Sequence, residues 1–151
     1  MTFWQENLSK PATRLVASFF VLPSQERQLL IRALMLLWAV RAGLWAFSFQ
    51  TINCIMERHP SSSAKKEFSP GKIVWAVKIA CRFVPSATCL TQALAARALL
   101  SKYGHSANLR IGVARDSERI KAHAWLEKDG RTIIGGSTSE FKPLPMVDDR
   151  S

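Results

Sequence analysis

The apolar positions along this chain follow a helical period first and a two-residue period later. From Leu29 to Phe47 almost every residue is apolar, with Arg32, Arg41 and Gly43 as the interruptions. A run of that length reads as a helix, with a kink expected near Gly43. A shorter apolar stretch over 12–21 ends at Leu22-Pro23, and Ser24 is expected to cap the long helix, with Gln25 and Glu26 in its first turn. Helical spacing returns with Ile73, Val74, Val77, Ile79, Ala80 and Phe83, among which Lys72, Lys78 and Arg82 are interspersed. Val84 to Thr88 makes a turn, and Cys89 opens a third helix that packs through Leu90, Ala93, Leu94, Ala98 and Leu99. Gly104 stops it after Lys102-Tyr103.

Beyond Gly104 the period drops to two. Residues 108–115 and 120–127 alternate as strands, joined by Asp116-Ser117-Glu118-Arg119. Lys128-Asp129-Gly130 makes the next turn, Asp-Gly being a strong hairpin signal, and Arg131 to Gly135 forms a third strand. The tail beyond Pro143 is polar and expected to fray. The predicted class is α+β: a Cys-bearing helix packed on a small antiparallel meander, preceded by an N-terminal helical part. Ser, Pro and Lys dominate 58–70, which reads as a linker. The expected division is a helical docking region at 1–57, the linker at 58–70, the core at 71–145 and a tail at 146–151.

Composition narrows the partners. The chain has 151 residues, room for one domain or a small core with an appendage, and 48% apolar content is too high for disorder. Its net charge of +10 attracts nucleic acid, anionic lipid or acidic polypeptide. Nucleic acid is not expected, because the five Trp are scattered and no basic stripe carries them. No zinc-finger spacing occurs, and neither metal nor cofactor is expected. A membrane span needs about 20 mainly apolar residues, and Arg32 and Arg41 argue against a clean one in the Leu29–Phe47 run. A buried or partner-covered helix is the first reading, and peripheral membrane contact the second. Three cysteines do not pair evenly, and the N-terminus lacks a signal-peptide layout, so reduced thiols and a cytoplasmic location are expected.

The candidate chemistry lies in two residues. Cys89 sits at a helix N-terminus, where the helix dipole favours an anion. His123, within Ala122-His123-Ala124-Trp125-Leu126-Glu127, is held on a packed strand, as a general base must be. Cysteine proteases and transglutaminase-like enzymes are built on such a pair, and the element order is that of papain-like and transglutaminase-like cores. Cys54 and Cys81, in apolar helical settings, are expected to be structural, and His59 and His105 to be solvated. Trp125 shares a face with His123 and reads either as a wall of the site or as core.

Four blocks in order carry a resemblance: Cys89-Leu90-Thr91-Gln92-Ala93-Leu94-Ala95, Leu109-Arg110-Ile111-Gly112-Val113, Ala122 to Gly130, and Ile134-Gly135-Gly136. Together they resemble the lasso-peptide biosynthesis B protein, a transglutaminase-like leader peptidase, from about residue 70 to 145. Leu22-Pro23-Ser24-Gln25-Glu26-Arg27 is similar to that family's N-terminal part, less specifically. The resemblance implies a cysteine peptidase that cuts the leader from a ribosomally made precursor peptide. It implies a separate leader-binding recognition protein, and an ATP-dependent lasso cyclase acting next. The chain is expected to be the stand-alone form, without its own recognition domain. Cys89 would be the nucleophile and His123 the base, with a carboxylate as third member on the strand after His123. Asp129 is the named candidate, although hairpin register sets His123 roughly opposite Gly135; Glu127 lies roughly 13 Å from it at about 3.3 Å per residue. A backbone carbonyl or water orienting the imidazole is the alternative. A transglutaminase-type acyl transferase and a non-enzymatic, membrane-associated binding protein are the other classes.

Overall fold

The computed structural model describes residues 21–49, 51, 67–85, 87–116, 119–136 and 138–144. The linker expected at 58–70 therefore lies outside the described residues up to 66, as do Cys54 and His59.

Three helices come first. Helix α1 spans Ser24–Ala46. Ser24 is its first residue and not its cap: Pro23 stands at the cap position, where its carbonyl accepts from the Arg27 N–H at 3.0 Å. Proline suits that place because its extended ψ and missing N–H cost the helix nothing there. The helix continues through Gly43, whose carbonyl accepts from the Phe47 N–H at 2.7 Å. Helix α2 spans Pro70–Cys81 and is capped by Ser69, whose hydroxyl accepts from the Lys72 N–H. The end of the expected linker is thus a helix start, and Phe68 is buried edge-on against Tyr103 at 5.1 Å. Helix α3 spans Cys89–Lys102, capped by Thr88 through the Thr91 N–H at 3.3 Å and ending before Gly104 at φ +73°.

Four strands follow: β1 Asn108–Asp116, β2 Arg119–Lys128, β3 Arg131–Ile134 and β4 Lys142–Pro143. They form one sheet in the order β3-β2-β1-β4, with the pairings antiparallel. The fourth strand is an addition to the three-stranded meander the alternation implies. Two residues ending in proline give no periodic signal, and an edge position is where a strand tolerates proline. Asp129 and Gly130 both have positive φ, at +51° and +74°, which gives the tight two-residue hairpin between β2 and β3.

One core spans both sides of the segment 58–70. Leu29, Ala33 and Leu37 of α1 are buried with Ile73 and Val77 of α2, Leu94 and Leu99 of α3, and Leu126 and Ile134 of the sheet. Full burial of each leucine or isoleucine is worth about 1.5–3 kcal/mol. Helix α3 lies at the centre, packed by α1, α2 and β2. Its Ala93, Ala95 and Ala96 are all buried, and small side chains let neighbours approach it from several sides. Arg32, read from sequence as an obstacle to a membrane span, donates to the Tyr103 hydroxyl at 2.6 Å, and Lys72 pairs with Glu26 at 3.0 Å. Both contacts fasten α1 to the other helices.

Candidate active site

Cys89 is the first residue of α3 and is half-buried. The loop leading into it is held from the helix side. Thr88 caps the first turn, the Thr88 and Thr91 hydroxyls share a hydrogen bond of 3.0 Å, and the Gln92 amide donates to the Ala87 carbonyl at 3.4 Å. That pairing also accounts for the fully buried Thr91. The cap consumes the Thr91 N–H and leaves the earlier first-turn amides, Cys89 and Leu90, without intrahelical acceptors.

His123 stands on β2, opposite Gly112 of β1. Its neighbours Ala124 and Leu126 join the helical core, so alternation sets His123, Trp125 and Glu127 on the other face. There the imidazole is fixed by three groups. Its Nε2 lies 2.5 Å from the Gly135 carbonyl oxygen. A carbonyl only accepts, so Nε2 carries the proton and Nδ1 is the free lone-pair nitrogen. The ring stacks on Trp125 at 6.2 Å and meets Phe141 at 4.9 Å. Trp125 is 2% exposed and is fixed in turn by donation from its Nε1 to Glu127 at 2.9 Å. Glu127 also accepts from Arg110 Nε at 3.3 Å. Trp125 is therefore both things the sequence allowed, a buried residue and a wall beside the imidazole.

Helix α3 packs on β2 through the face that carries Ala124 and Leu126, and among the described residues no hydrogen bond joins Cys89 to His123. Catalytic hydrogen bonds are often long in free enzymes and tighten when substrate binds. Asp129 sits in the β2–β3 turn, 83% exposed at its side chain, with its carboxylate 3.2 Å from Lys128 Nζ. The group on the imidazole Nε2 is the Gly135 carbonyl. Asp129→Asn is accordingly expected to change turnover by less than about threefold, the scale of an exposed ion pair worth under 1 kcal/mol. A loss of turnover as deep as that of His123→Ala would instead make Asp129 a working partner of the imidazole.

One other position differs from expectation, and Cys81 stands as a structural thiol would. His105 is not simply solvated: it is half-buried, with Nε2 2.8 Å from the Phe68 carbonyl oxygen. Cys81 is half-buried in α2, and burial pushes its thiol up to about 11, which disfavours the nucleophilic thiolate. Phe141 was not legible as a site residue. It reaches His123 only because β4 pairs with β1 at Gly112 and Val113 and the Leu144 N–H binds the Ile111 carbonyl at 2.8 Å.

Among the described residues no cluster of His, Cys, Asp and Glu could hold a metal ion. The model of the transglutaminase-like superfamily matches residues 34–146, from within α1 to beyond β4. The chain therefore belongs to the transglutaminase-like superfamily, whose members are commonly cysteine-dependent enzymes of peptidase or acyltransferase type. No curated protein and no solved structure matches it.

Proposed function

We propose that this member of the transglutaminase-like superfamily is a cysteine peptidase that removes the leader from a ribosomally made lasso-peptide precursor. The observation that carries the chemistry is a half-buried cysteine at the head of a central helix, packed across a strand whose histidine has one ring nitrogen already fixed. The resemblance of the Cys89, Leu109, Ala122 and Ile134 blocks to the lasso-peptide B protein supports the substrate class.

In this reading the steps are those of a Cys–His peptidase. His123 Nδ1 takes the Cys89 proton, and Sγ attacks the scissile carbonyl. The first-turn N–H of Cys89, free of an intrahelical partner, donates to the oxyanion. The imidazolium, held through its Nε2–H by the Gly135 carbonyl, returns its proton to the leaving amine. Water then attacks the thioester, its proton passing to Nδ1, and thiol and carboxylic acid are released. Asp129 is the candidate third member by analogy with the family's carboxylate; the Gly135 carbonyl is the better placed group. A leader-binding protein presents the precursor, and an ATP-dependent cyclase joins the freed amine to an acidic side chain.

The test is the mass of the products. Precursor incubated with the full chain and the leader-binding protein should yield two fragments whose masses sum to the precursor plus one water. A single product carrying an added amine would replace the peptidase reading with acyl transfer.

A further inference from the structure

Helix α1 is apolar on both sides. Its inner side joins the core through Leu29, Ala33 and Leu37. Its outer side carries Ile31, Met35, Trp38, Ala42 and Trp45, all exposed and spaced to lie along one stripe. Met35 is 68% exposed and Trp45 is 92% exposed, well beyond the scattered apolar exposure of an ordinary surface. At 3.6 residues per turn, Arg32 borders this stripe on one side and Arg27 with Arg41 on the other. The three helices together carry seven Lys and Arg and one carboxylate, Glu26, which is paired with Lys72. The ridge is therefore apolar and Trp-bearing, flanked by arginines of its own helix, whose one carboxylate is already paired.

We propose that this ridge is a peripheral membrane-binding surface, with α1 lying along an anionic bilayer while its inner face stays in the protein core. Tryptophan rings favour the headgroup boundary, and Arg27 and Arg41 beside them reach lipid phosphates while their stems stay in apolar surroundings. By length and composition α1 could cross a bilayer. Crossing would pull Leu29 and Leu37 out of the core and break the Arg32–Tyr103 and Glu26–Lys72 contacts, so the geometry favours lying on the surface. The flanking arginines favour anionic over neutral lipid. The inference does not depend on the peptidase reading and would leave Cys89 chemistry untouched.

The experiment uses the full chain with vesicles of phosphatidylcholine alone or mixed with phosphatidylglycerol, read by co-sedimentation and tryptophan emission. The protein should sediment with the mixed vesicles, with a blue shift, and far less with phosphatidylcholine alone. Raising the salt from 0.1 M to 1 M, which shortens the Debye length from about 10 Å to about 3 Å, should weaken binding. Trp38→Ser with Trp45→Ser alters exposed positions and should keep the circular dichroism spectrum while lowering partition by about tenfold or more. Arg27→Gln and Arg41→Gln should each cost about fivefold on anionic vesicles. The proposal is overturned if the wild type stays in the supernatant with both vesicles, or if the double Trp variant binds as the wild type does. It is also overturned if the wild type is a dimer that the double Trp variant dissociates and neither binds lipid, since a second copy would then cover the ridge.

Discussion

If Cys89 and His123 are the nucleophile and base of the proposed peptidase, replacing either by alanine should lower leader cleavage by about 10³-fold or more, because such a pair acts as a unit. The two substitutions should differ in their structural cost. Cys89 is half-buried at a helix end, so losing its sulfur leaves no large cavity. His123 gives up its hydrogen bond to Gly135 and its contacts with Trp125 and Phe141, a loss of about 1–2 kcal/mol. Thermal melts beside the precursor mass assay separate folding from chemistry. Cys54→Ala and Cys81→Ala should keep cleavage, and Cys81 should resist alkylation at neutral pH, as its raised thiol pKa of about 11 requires. Full cleavage by Cys89→Ala would end the cysteine-peptidase reading.

The largest loss of stability from a single added methyl group is expected at Gly135. Its φ is +115°, where side chains are strained, and a Cβ there would overlap Trp125 Cβ and lie 2.9 Å from Trp125 Cα. Backbone and a buried ring cannot yield cheaply, so Gly135→Ala should cost about 3 kcal/mol or more. It should also displace the carbonyl that holds the His123 Nε2–H, so cleavage should fall further than the loss of folded protein explains. Gly136→Ala is the internal control. Gly136 has φ +70° with open space around it, so only the backbone term of about 1 kcal/mol remains. Denaturant melts and cleavage rates on both variants check this, and equal effects would show that Trp125 can give way.

Much of the arrangement was legible in the chain. The change of period near Gly104 separated helices from strands, because period reports which face is buried whatever covers it. Thr88 as the residue before a helix and Asp129-Gly130 as a hairpin turn follow from local backbone chemistry, which does not depend on distant contacts. Cys89 at a helix start and His123 on the second strand are placed by the same local signals.

What the sequence left open is what depends on distant pairing. Local chemistry offers two carboxylates near His123, but the fold gives Asp129 to Lys128 and Glu127 to Arg110 and Trp125, and sets a main-chain carbonyl on the imidazole instead. A carbonyl has no letter in the sequence, so its role emerges only when the chain leaves β3 at Gly135 beside Trp125. Phe141 reaches the site through a two-residue edge strand too short to carry a period. The sequence by itself determined the order of the three helices and first three strands, the β2–β3 turn and the positions of the candidate pair, because these rest on neighbours a few residues apart. The tertiary structure alone decided that α1 shares the core, which of its faces stays uncovered, and which oxygen holds the histidine, because each is set by the packing of segments far apart in the chain.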